Sequence, residues 1–268
     1  MATGLSLHVG LNEVDPGRYE GWSGTLNACE NDAHDMARIA RTAGFESTVL
    51  LTPDGTVANV TSVLGEAAGR LGAGDILLFT YSGHGGQVPD ETGTDAEPDA
   101  LDETLVLYDR QFLDDEVQRA FRAFADDVRI VALLDCCHSG SSIEIPGGAD
   151  DDRGRYLPEP RQRQLYERDR VFLDELRRSL AGDAAADGTA PDALLVSACQ
   201  DNQTAADGDV NGAFTEALLQ VWDGGAFQGG YREFHRAIQR RLPPSQSPNL
   251  YLTGSPGPDF LNQRPFTV

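Results

Sequence analysis

The chain has no lysine. All 21 of its cationic residues are arginine, set against 43 acids, for a formal charge of −22 and a pI of about 4.4. That balance leaves no broad basic face to meet phosphates, so a nucleic-acid partner is not expected. The surplus acid fits a GC-rich or salt-adapted host, and also a site that attracts basic substrates or metal ions. No apolar run approaches the roughly 18 residues of a membrane span, so no membrane association is expected. The first residues, MATGLSLHVG, lack a basic stretch followed by a long apolar one. No secretory leader is therefore expected, and the expected location is the cytoplasm. Cysteine is scarce: Cys29, Cys136, Cys137 and Cys199. No CxxC pair or His/Cys spacing suggests zinc, and adjacent Cys136 and Cys137 are poorly placed to bridge each other. Free thiols in a reducing compartment fit best.

Against these absences, 40% of the residues are hydrophobic, enough for a sizeable core. The apolar runs alternate in type. Strands are predicted over Leu5 to Gly10, Ser47 to Leu51, Ile76 to Ser82, Arg129 to Asp135 and Ala193 to Ala198. Helices are predicted over Asn31 to Gly44, Thr56 to Leu71, Phe112 to Ala125, Gly212 to Trp222 and Tyr231 to Arg241. Such alternation predicts an α/β fold with a mostly parallel sheet and helices on both faces. Two segments break the pattern. Residues 90–116 are strongly acidic. Residues 147–192 are long, rich in Arg, Asp, Ala and Gly, and carry one plausible helix, Val171 to Leu180. The latter reads as an exposed insertion within one domain.

The chemistry-bearing residues fall where two buried strands end. His84 follows ILLFTYS in YSGHGGQ, and Cys137 follows RIVALLD in LLDCCHSG. Ligands of an open parallel sheet sit outside the carboxyl ends of its strands. An imidazole beside a thiol can take its proton and leave a nucleophilic thiolate. Glycines around His84 permit a tight turn, and the Gly85 and Cys137 amides are candidates to hold an oxyanion. A lone HGG is more often just a turn, and a strand-end cysteine more often core filler. Strand alternation assigns that filler role to Cys136, which points away from Cys137. His138 is the rival base, but neighbours in an extended segment diverge.

These motifs resemble those of the caspase-like cysteine peptidases, the C14 family of caspases, metacaspases and orthocaspases. Caspases carry a QAC-type motif with the histidine about 50 residues upstream. The spacing here agrees, and DCCHSG is similar to the metacaspase D-x-C-H-S-G. LNACENDAHDM, LDETL, FLDDEV, SACQDNQTAAD, GAFTEALL and SPNLYLTGSP extend the likeness along the chain. The resemblance implies a caspase-like fold in a single domain of residues 1–268. Within it, residues 1–148 resemble a large half, about 149–192 an exposed linker, and 193–268 a small half. It implies a cysteine endopeptidase with a Cys137–His84 dyad acting on proteins or peptides after Arg or Lys. Asp32 and Asp135 match the acids of the family's S1 pocket, and Cys29 and Ser82 match other pocket positions. Two carboxylates suit a guanidinium. Many members of the family take calcium, and the matching acids here are Asp99, Asp114, Asp115 and Glu144, although Glu144 stands for an Asp. The family's cleavable linker falls on the arginine-rich segment, where Arg161 and Arg163, next to Pro160 and outside the expected helix, are the favoured self-processing sites. The alternative is a catalytically silent caspase-like scaffold that binds partners through its acidic surface.

Overall fold

In the computed structural model, the described residues are 2–89, 101–137, 154–186, 192–200 and 203–268. The central sheet is built from β1 (Gly4–Gly10), β2 (Glu46–Leu51), β3 (Ile76–Ser82), β7 (Arg129–Asp135), β8 (Ala193–Ser197) and β9 (Asn249–Thr253), in the order β2-β1-β3-β7-β8-β9. All neighbours pair in parallel except β9, which runs antiparallel to β8. β3 is buried along its whole length and β7 over all but its first residue, as expected for parallel strands covered on both faces.

Two cores lie on the two faces. On one, α2 (Val57–Ala68) and α3 (Asp114–Arg122) pack Val60, Leu64, Val117 and Phe121 against Leu7, Phe79, Ile130 and Leu134. On the other, α1 (Cys29–Thr42), α5 (Ala213–Trp222) and α6 (Tyr231–Gln239) pack Met36, Phe214, Leu218 and Phe234 against Leu78, Val131, Leu133 and Val196. A short α7 (Pro258–Asn262) follows β9. Alternation along β7 carries past its end. Cys136 joins the first core and Cys137 the second, so the two neighbouring thiols lie on opposite faces, as their spacing predicts.

The predicted strands and helices are found within a few residues of their expected ends. The acidic segment 90–116 is less of a break than expected. β4 (Gly85–Pro89), β5 (Leu101–Val106) and β6 (Gln111–Leu113) form a small antiparallel sheet, so Phe112 and Leu113 begin as strand and α3 starts only at Asp114. The largest departure is in the segment expected to be exposed. α4 runs from Glu159 to Ala186, far beyond Val171–Leu180. It buries Leu165, Tyr166, Leu173 and Leu180, and the strand-like stretch before it buries Arg155 and Leu157. Its apolar residues are diluted by arginine and alanine, which weakens the periodic signal. Pro160 sits in its first turn, where a missing N–H costs nothing.

Candidate active site

β3 and β7 pair with Ser82 opposite Asp135. His84 and Cys137 each follow the paired residue by two, so both emerge at the same carboxyl edge. The His84 ring is buried. Its Nε2 lies 2.7 Å from the Gly24 carbonyl oxygen, and its Nδ1 is buried without a hydrogen-bond partner. Burial lowers its pKa to about 4, offset in part by the Gly24 contact and reinforced by the Arg155 charge. Trp22 packs on the ring with centroids 4.8 Å apart and planes at 55°. Gly24 has φ +54, and a Cβ there would press on Trp22 and on His84 Nε2, so glycine permits this approach. The Cys137 thiol is buried against the backbone of Ala205, whose amide donates to it.

A peptide segment of the chain itself already lies across this edge. The Arg155 carbonyl oxygen accepts from Gly85 N at 3.0 Å and from Cys137 N at 3.1 Å. These are the two amides that the sequence offers as an oxyanion cradle, and they converge on one carbonyl oxygen. Arg155 N donates to Ala205 O at 3.1 Å, Gly154 bridges Ala206 antiparallel, and Tyr156 bridges Gly85 in parallel. Residues 154–157 are thus held as an added strand, with the Arg155 carbonyl oxygen on the Cys137 amide.

The Arg155 side chain enters a fully buried acidic pocket. One terminal nitrogen, Nη2, donates to Asp32 Oδ2 at 2.8 Å and to Asp207 Oδ1 at 3.0 Å. The other, Nη1, donates to Ser82 Oγ at 2.9 Å and lies 3.0 Å from Asp135 Oδ1. Each acid is fixed from behind. Asp32 accepts from the Asn211 side chain and Gly212 N, and Asp207 from Asn27 N. Asp135 accepts from the amide and hydroxyl of Thr215, in the first turn of α5, where the helix dipole favours negative charge. Burial raises the Asp32 pKa to about 6, with Arg155 acting against it. A Cβ on Gly212 would meet the guanidinium about 2.5 Å away, so this wall of the pocket has to be glycine. Cys29 is buried at the start of α1 within reach of the Arg155 charge, its pKa pushed up to about 12 chiefly by burial.

The structure therefore brings together His84, Gly85, Cys137, Asp32, Ser82 and Asp135. Sequence reasoning missed Asp207 and Arg155. Asp207 closes the SACQDNQTAAD motif, which was a usable signal. Arg155 was one arginine among eight in its segment, and no local pattern singles it out. Arg161 and Arg163 lie in the first turns of α4, not outside a helix. Arg161 donates to the Glu20 carbonyl oxygen and Arg163 pairs with Glu159. Of the calcium candidates, Asp114 and Asp115 open α3, while Asp99 and Glu144, like the rival base His138, lie outside the described residues. Among the described residues no group of three or more His, Cys, Asp or Glu side chains is arranged to hold a metal. Asp102, close to Asp99 in sequence, is taken by Arg177 at 2.6 Å.

Comparisons with known proteins bear on the family and the fold. The family model of the caspase domain, peptidase C14, matches residues 14–258. A crystal structure of protein GSU0716 from Geobacter sulfurreducens is 44% identical, with a TM-score of 0.85 over 99% of each chain. The crystal structure of caspase-1 from Spodoptera frugiperda shares the fold at 10% identity, with a TM-score of 0.56 over 93% of this chain and 86% of that one. Metacaspase-1A of Aspergillus fumigatus is 36% identical over 156 residues, which is 53% of this chain but 36% of the fungal protein's length. The chain thus spans about a third of that curated relative. No described helix is long and apolar enough to cross a membrane.

Proposed function

The chain belongs to the caspase-domain peptidase family, C14, and from that premise we propose that it is a cysteine endopeptidase that cuts after arginine and first cuts itself between Arg155 and Tyr156. The observation that carries this reading is the posture of Arg155, with its side chain among three carboxylates and its carbonyl oxygen on two converging amides beside Cys137. In this scheme the Cys137 thiolate attacks the carbonyl carbon of the arginine, and Gly85 and Cys137 N–H hold the resulting oxyanion. The C–N bond breaks as His84 gives its proton to the leaving amine. Water then hydrolyses the thioester and restores the thiol. Asp207 joins Asp32, Asp135 and Ser82 in recognising the guanidinium through both terminal nitrogens, and Cys29 backs the pocket. An aspartate side chain in the same place would face like charges, so substrates with Asp before the cut are excluded.

Arg155 replaces Arg161 and Arg163 as the favoured site. It is extended, as a protease needs its substrate to be, whereas the other two sit in a helix. Until that bond is cut, or its segment leaves, the pocket is filled by the chain's own arginine, which makes the uncut chain a self-occluded precursor.

Intact-mass and N-terminal analysis of the purified chain tests the reading. A new N-terminus at Tyr156 is expected in the native chain and in Cys136→Ala, and no cut in Cys137→Ala. The same cut in Cys137→Ala would sink the assignment of the nucleophile. A cut only after Arg161 or Arg163 would return processing to the helix.

A further inference from the structure

The added strand does not end at the arginine. Leu157 is fully buried although its segment is polar. Its amide donates to Gly85 O at 2.7 Å, and with Gly85 N on Arg155 O this makes a parallel ladder with Tyr156 opposite Gly85. The Leu157 side chain packs in an apolar cluster with Val14, Tyr19, Val106 and Leu165 of α4, flanked by Trp22. Of these, Val14, Tyr19, Trp22 and Val106 precede the segment that lies across the site, while Leu165 follows it in α4. Val106 N donates to the carbonyl oxygen of His84 at 3.0 Å, and Tyr19 donates its hydroxyl proton to Leu107 O at 2.6 Å. Trp22 touches both this cluster and the His84 ring.

Past Leu157 the ladder is interrupted in an informative way. Continued pairing would bring Gln87 N–H to the Leu157 carbonyl. The side chain of Gln162 stands between them instead, accepting from Gln87 N at 2.7 Å and donating to Leu157 O at 2.5 Å. Pro158 then turns the chain into α4. The β4 edge thus offers a longer peptide template than the chain itself uses, and a side-chain amide caps the unused stretch.

We propose that this is a second specificity subsite, which reads substrates two residues beyond the bond cut and takes a large aliphatic side chain there. The ligand class is an extended peptide with arginine followed, two positions on, by Leu, Ile or Met. The inference rests on the reading that the bond after Arg155 is the one cut. The apolar walls offer nothing to pair a charge with, so Asp at this position is excluded. Proline there has no N–H for Gly85 O and breaks the ladder.

The test uses the full chain after self-processing. Internally quenched peptides carry Arg at the cut and Leu, Gly, Asp or Pro two residues beyond it. An arginyl aminocoumarin amide, which has nothing beyond the coumarin, reads the arginine pocket alone. The kcat/KM for the Leu peptide is expected to exceed that for Gly by roughly tenfold, and that for Asp or Pro by roughly a hundredfold. A flat series with the coumarin amide hydrolysed overturns this inference and leaves the arginine reading intact. Failure to hydrolyse any of them overturns both. In the full chain, Leu157→Asp is expected to slow the self-cut at least about tenfold while Leu157→Ile does not. Equal rates in these two variants overturn the inference.

Discussion

Two buried arginines of the same segment, Arg155 and Arg177, are held in contrasting ways. Arg155 faces Asp32, Asp135 and Asp207 together, so its pocket carries more negative charge than its occupant cancels. Arg177 meets Asp102 through Nε at 2.6 Å, joining α4 to β5. A surplus of fixed charge, braced from behind by backbone amides and a helix N-terminus, is the mark of a place that needs a cationic visitor. Emptied, it would leave carboxylates confronting one another in a buried space, which is costly. The Arg177–Asp102 contact serves a different end. It gives register and adhesion, and here it clasps the helix that follows the occupied site.

The comparison breaks first at the pocket. Removal of one buried carboxylate partner is expected to cost on the order of 2–5 kcal/mol of binding, at least about thirtyfold in kcat/KM. Asp32→Ala and Asp207→Ala should each lose that much on an Arg peptide, read by steady-state kinetics of the processed enzyme. An unchanged rate in Asp207→Ala would remove it from the pocket.

Next comes the clasp. Arg177→Met takes the cation from beside the buried Asp102 carboxylate and is expected to destabilise the fold by roughly 3–5 kcal/mol in denaturant unfolding. Adding Asp102→Leu should recover part of the loss, since it removes the carboxylate left buried without Arg177. Hydrolysis by the processed enzyme should change little in the double variant. A loss as large as that of Asp32→Ala would show that the two arginines share one role.

The smallest expected effect concerns calcium. Activity should fall on chelation and return with millimolar calcium but not magnesium, whose tight octahedral shell suits a loose carboxylate cluster badly. Full activity in excess chelator removes Asp99, Asp114, Asp115 and Glu144 from the site.

What the sequence made legible follows burial and locality. β3 and β7 are continuous apolar runs, and their predicted ends, Ile76–Ser82 and Arg129–Asp135, are the observed ones. The residues that cap those strands, and Asp32 in the first turn of α1, are readable because they sit beside such landmarks. β4 to β6 were not readable, since a small antiparallel sheet in an acidic, glycine-rich stretch has no long apolar run. The identity of Arg155 is a tertiary fact. Its carboxylates come from α1, β7 and the loop before α5, and only the fold decides which arginine reaches them. Leu157 was hidden in the same way, as a lone apolar residue in a polar segment.

The order of the central sheet has a consequence for the chain after it is cut. β7 lies before the Arg155–Tyr156 bond and β8 after it, yet they pair along Ile130 to Leu134 and Ala193 to Ser197, and their side chains share one core. Hydrolysis would therefore leave a two-piece molecule whose halves are zipped through the middle of the sheet. Its melting would become an association equilibrium between fragments, dependent on protein concentration, where that of the unbroken chain is not. The cut changes what the molecule is counted as without taking it apart, and dilution becomes a variable to which only the activated form is sensitive.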